Sequence, residues 1–178
     1  MSQKEETKPM SKATGEMKFY NREHLEKLRV EKEEETPRGS AVLGHAYLEE
    51  LLGELLVKRF VNGEELQNKI KYLSFRDKLE LCYQIGLISN AMKKDLFTVN
   101  EIRNAFAHKK DIKDFSKEDI PSKCDDLLIL KVLQKETNMQ LDELPPGKKY
   151  HITVNFLWFL LEERLKSCTK IEEWAKPF

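Results

Sequence analysis

Residues 101–108 read Glu-Ile-Arg-Asn-Ala-Phe-Ala-His, and polar side chains at 103, 104 and 108 interrupt an otherwise apolar helix end. Arg103 carries a permanent charge on a planar fork that fits a carboxylate or a phosphate. His108 exchanges a proton near neutral pH. Asn104 and His108 are four positions apart and share a helix face. Arg103 and His108 lie roughly 140° apart around an ideal helix. They converge on one ligand only if the helix frays or bends at His108, or if a second subunit contributes. Converged, they suit metal-independent RNA cleavage. His108 would move the proton of a 2′-hydroxyl and Arg103 would stabilise the crowded phosphate. The structural alternative pairs Arg103 with Glu49 or Glu50, gives Asn104 to loop backbone groups and sets His108 on the carbonyls of the helix C-terminus. Spacing alone favours that alternative, because ion pairs that merely support a fold are common.

Other candidates carry less. Glu49 and Glu50 flank an apolar face, where one of them can meet Arg103. His45 reads as a satisfied histidine at the edge of a core. His24 and His151 have no partner at ligand spacing, so neither a metal site nor a cofactor is expected. Lys109 and Lys110, with Lys93 and Lys94, bracket the Arg103–His108 helix and together make a small anion-attracting patch. There is no Gly-rich phosphate loop and no nucleophile elbow. No segment forms a helix-turn-helix with a basic second helix, so direct DNA reading is not expected.

The elements that must hold these residues read as helices. Ala46, Tyr47, Leu48, Leu51, Leu52, Leu55, Leu56 and Phe60 recur at helical spacing over 39–60, with Thr36 or Ser40 as cap and Pro37 in the first turn. Asn62-Gly63 ends that helix. A short segment covers 64–72. Ser74 starts the next helix, and Gly86 suits its end. Ser89 or Asn90 caps a helix over 91–108. Ser116 is expected to cap another over 117–135, with Pro121 able to shift its start. After Pro145-Pro146-Gly147, the densely apolar stretch 149–168 is too long for a strand and reads as a central or interface helix.

The chain has 178 residues, with 31 basic and 31 acidic side chains and zero formal net charge. Bulk electrostatics therefore do not make it a polybasic nucleic-acid binder. With 40% hydrophobic and 35% charged residues, seven Gly and six Pro, the composition suits an all-α protein with charged outer faces. The expected architecture is a single bundle of about six helices over 37–178, preceded by a charged segment, 1–36. That segment holds eight basic and nine acidic side chains and too little apolar surface to offset its ordering entropy. It is expected to be a tail, partly helical. Cys82, Cys124 and Cys168 match no zinc spacing and lie in apolar segments, which fits a reducing cytoplasm. The N-terminus has no apolar core of a secretory signal, and the longest apolar run, 156–161, is too short to cross a bilayer.

Three blocks carry a resemblance. Pro37-Arg38-Gly39-Ser40-Ala41 leads into Tyr47-Leu48-Glu49-Glu50-Leu51-Leu52. Leu73-Ser74-Phe75-Arg76-Asp77-Lys78-Leu79-Glu80-Leu81-Cys82-Tyr83 runs on to Ile85-Gly86-Leu87-Ile88. Ile102-Arg103-Asn104-Ala105-Phe106-Ala107-His108 is followed by Phe115-Ser116 and residues 120–124. Together, over about 37–128, they resemble the mannitol operon repressor family. The resemblance implies a small, all-helical, cytoplasmic bacterial regulator with no DNA-binding domain of its own. It would work through a protein partner or an RNA. Independently of the resemblance, the apolar face at 156–161 points to a homodimer. Arg103 to His108 also resembles the Arg-x4-His signature of HEPN-type helical domains, many of which are dimeric ribonucleases of toxin and phage-defence systems. The commonest toxin variant has tyrosine two residues after the histidine, where this chain has Lys110.

Overall fold

In a computed structural model, residues 36–137 and 140–172 are described. The charged segment 1–36 lies outside them apart from Thr36. The described part falls within one compact unit, 35–178. Its elements are α1 (Pro37–Arg59), α2 (Gly63–Tyr72), α3 (Phe75–Gln84), α4 (Asn90–His108), α5 (Ile120–Asp125), α6 (Leu128–Thr137) and α7 (Pro146–Ser167), with no strand among the described residues. The all-α expectation holds.

α1 is the central helix and packs on α2, α3, α4 and α7. Its start follows from local chemistry: Thr36 Oγ1 accepts the Gly39 N–H at 3.1 Å, and Pro37 occupies the first turn, where a missing donor costs nothing. Leu48, Leu52, Leu55 and Leu56 are fully buried along its length. Each such side chain contributes about 1.5–3 kcal/mol when removed from water. Tyr150 of α7, also fully buried, donates its hydroxyl to Ala41 O at 3.1 Å and so satisfies its one polar atom. Ser74 and Ser89 accept the Asp77 and Met92 amides and start α3 and α4. Gly86 takes φ 71°, the left-handed conformation that lets the chain turn after α3. There Arg164 of α7 donates to the Leu87 and Gly86 carbonyls.

Two boundaries differ from the sequence reading. Gly63 does not end α1; it opens α2, and a Cβ there would lie 1.7 Å from Val57 O, so the tight crossover requires glycine. The expected helix over 117–135 is two helices. Ser116 does not cap it: its amide bonds Asp114 Oδ1 at 2.8 Å, and Glu118 has φ 53°, a left-handed turn that bars helix until Ile120. The break before α6 is held from afar. Asp95 of α4, 2% exposed, accepts the Leu128 amide on Oδ1 and the Ile129 amide on Oδ2, both at 2.8 Å. This is an N-cap supplied by another helix.

Candidate functional site

α4 places Arg103 and Asn104 side by side, both half-buried, and sets exposed His108 at its last position. Arg103 Nη1 donates to Asn104 Oδ1 at 3.0 Å, and its buried Nε has no acceptor among the described residues. The expected carboxylate does not come. Among the described residues no acid pairs with Arg103. Glu49 is engaged elsewhere, and Glu50 is exposed with no cationic partner among them. Asn104 serves Arg103 rather than the loop. His108 makes no hydrogen bond among the described residues. The carbonyls after α4 are met instead by Arg38, whose Nη2 donates to Lys109 O at 2.9 Å and Ile112 O at 3.2 Å. Lys109 pairs with Glu118, while Lys110 is exposed. Arg103 lies within electrostatic reach of His45 on α1. The structure therefore brings Arg103 and Asn104 together and leaves His108 apart from them, at the exposed helix end.

The buried polar cluster lies between α1, α3 and α4. His45, 4% exposed, sets Nε2 3.0 Å from Asn100 Oδ1 and Nδ1 4.0 Å from Glu49 Oε2, with its ring centroid 4.2 Å from that of Phe75. The other Glu49 oxygen accepts from Lys78 Nζ at 2.9 Å. Lys78 is only 5% exposed. Burial holds the His45 imidazole below the ordinary histidine value, with Arg103 and Lys78 adding to the shift, while the Asn100 bond and Glu49 oppose it. His45 is thus the satisfied histidine its position implied.

Glu49 and Lys78 also line a cleft of about 570 Å³ between α1 and α2, together with Gly53, Val57 and Ile70. On one wall, Glu54 is held above the ordinary carboxyl value by burial and by Glu50 and Glu162. The residues after α7 are tied to the end of α1: Ile171 N–H donates to Arg59 O at 2.8 Å and Arg59 Nη1 to Thr169 O at 2.9 Å.

Sequence reasoning passed over Lys78, Asn100 and Asp95. A signal existed for two of them. Lys78 follows Phe75 and precedes Leu79 and Cys82 on the core stripe of α3, and Asp95 precedes Val99, Ile102 and Phe106 on that of α4. A charge on a core stripe needs a partner. The apolar stretch 156–161 turns Leu157 and Leu161 fully inward and leaves Phe156, Trp158, Phe159 and Leu160 half-buried. Cys82, Cys124 and Cys168 are buried free thiols, and burial pushes Cys82 and Cys124 up to about 12, far from a reactive thiolate. No helix among the described residues is long and apolar enough to cross a membrane. No family model, curated protein or solved structure matches this chain.

Proposed function

We propose that this chain is a non-catalytic regulator of the mannitol repressor type, acting through protein partners and self-association as a homodimer. One observation carries the non-catalytic part. Arg103 is half-buried beside Asn104, within reach of His45, while His108 stands exposed at the end of the same helix. A proton-transfer group and a phosphate-stabilising group need to converge on the same few atoms. The regulatory part rests on the resemblance over 37–128 and on the absence of any basic recognition helix in the sequence. The test is genetic. Deletion should raise a small set of transcripts, and chains carrying Arg103→Ala or His108→Ala should restore repression. Failure of both folded variants to restore it overturns the reading.

A second reading is favoured by a specific feature. Arg103 has no carboxylate among the described residues, and its buried Nε has no acceptor. A guanidinium in that state can take a phosphate. In a homodimer, a second copy can bring its own His108 to it. The chain would then be a metal-independent ribonuclease or RNA-binding effector of the HEPN type, with Arg103 and His108 as its working residues and Lys110 at the rim.

A further inference from the structure

The cleft lining and the buried histidine share one carboxylate. Glu49 accepts from the Lys78 ammonium on Oε1 at 2.9 Å and holds Oε2 4.0 Å from His45 Nδ1. The other ring nitrogen of His45 lies 3.0 Å from Asn100 Oδ1. An amide oxygen only accepts, so Nε2 carries the proton and Nδ1 of the neutral ring is bare. A bare nitrogen gives a carboxylate no reason to approach, which accounts for the 4.0 Å gap.

Adding a proton at Nδ1 changes that balance. The imidazolium would be buried against Lys78 of α3 and Arg103 of α4, both cationic, and against the neutral Asn100 and Phe75. Glu49, on its own helix α1, is the one carboxylate acting on it among the described residues. A buried charge without a partner costs several kcal/mol, and this holds for the imidazolium and for Lys78 alike, so Glu49 must serve both, turning Oε2 to Nδ1 while Oε1 stays near Lys78. Its carboxylate is already one short rotation from Nδ1.

We propose that Glu49 is a proton-operated switch: protonation of His45 draws its Oε2 onto the imidazolium, so that one carboxylate is shared between two cations and its hold on Lys78, in the lining of the cleft, is weakened. The same cleft is lined by Glu50, Glu54 and Lys58 of α1, Glu64 and Lys71 of α2, and Lys170. Acidification thus turns the neutral Lys78–Glu49 pair in the lining of this mixed-charge cleft into a triad with one net positive charge, and the cleft becomes more receptive to a small anion.

The test is a nuclear magnetic resonance titration of the full chain from pH 8 to pH 5, following the His45 ring and the Lys78 Cε and Nζ signals. The switch requires Lys78 to show an inflection with the midpoint of the His45 ring, on the acid side of the ordinary histidine range. In His45→Gln, which keeps an amide for Asn100 and cannot gain the charge, the Lys78 inflection should vanish. Glu49→Gln should move the His45 midpoint further to acid and abolish the inflection too, whereas a purely through-space effect of the His45 charge on Lys78 would survive in that variant and overturn the proposal. A Lys78 signal that stays flat while His45 titrates overturns the proposal. So does an inflection that persists in His45→Gln, or a His45 ring that stays neutral until the chain unfolds.

Discussion

Arg103 is worth less to stability than its charge suggests. A buried pair that loses one partner costs about 3–5 kcal/mol. Arg103 has no such partner among the described residues, only a bond to the neighbouring Asn104. Arg103→Ala should therefore lower unfolding free energy by about 1 kcal/mol or less, the net worth of one ordinary hydrogen bond, as read from urea denaturation. Asp95 is the opposite case. Asp95→Ala strips two amides of their acceptor and removes the cap of α6, which should cost about 2–4 kcal/mol. His45 sets a pH dependence. Its value in the folded chain lies below the ordinary 6.5, so below that pH the unfolded chain binds the extra proton more readily. Stability is then fully present above pH 6.5, falls as the pH drops below it, and stops falling once the folded-state value is passed. Melting temperatures from pH 8 to pH 5 should show this slope in the native chain and a flatter one in His45→Gln.

At the scale of elements, boundaries set by local chemistry could be read from sequence. Thr36 with Pro37, Ser74 and Ser89 start their helices where their residue types require. The breaks that escaped depend on partners distant along the chain or on close approach. Leu128 begins α6 because Asp95 on another helix reaches its amide, and nothing within 117–135 announces that. Gly63 looked like a terminator because glycine often is one. Its actual constraint is the Val57 carbonyl, visible only once α1 and α2 cross. Gly63→Ala forces those helices apart and should cost about 1–3 kcal/mol, measured by thermal melting. Gly86→Ala, strained by its positive φ in otherwise open space, should cost about 1–2 kcal/mol. The same reasoning explains the site. Residue types pointed to Arg103, Asn104 and His108, but which carboxylate meets which cation depends on how helices pack. Glu49 belongs to Lys78 and His45, and no spacing within one helix could have placed them together.

At the scale of the molecule, composition and helical periodicity sufficed for an all-α bundle, while the central place of α1 shows only in the packing. What the bundle does depends on whether Arg103 and His108 form a working pair. Within one chain Arg103 is half-buried and His108 exposed, with no bond between them among the described residues, and a second copy is one way to join them. The most direct measurement incubates the purified native chain, Arg103→Ala and His108→Ala with labelled RNA in EDTA, at concentrations spanning dimer formation. The regulatory account predicts intact RNA in every lane. Cleavage by the native chain, lost in both variants while their melting curves match it, would contradict that account and make the chain a metal-independent ribonuclease.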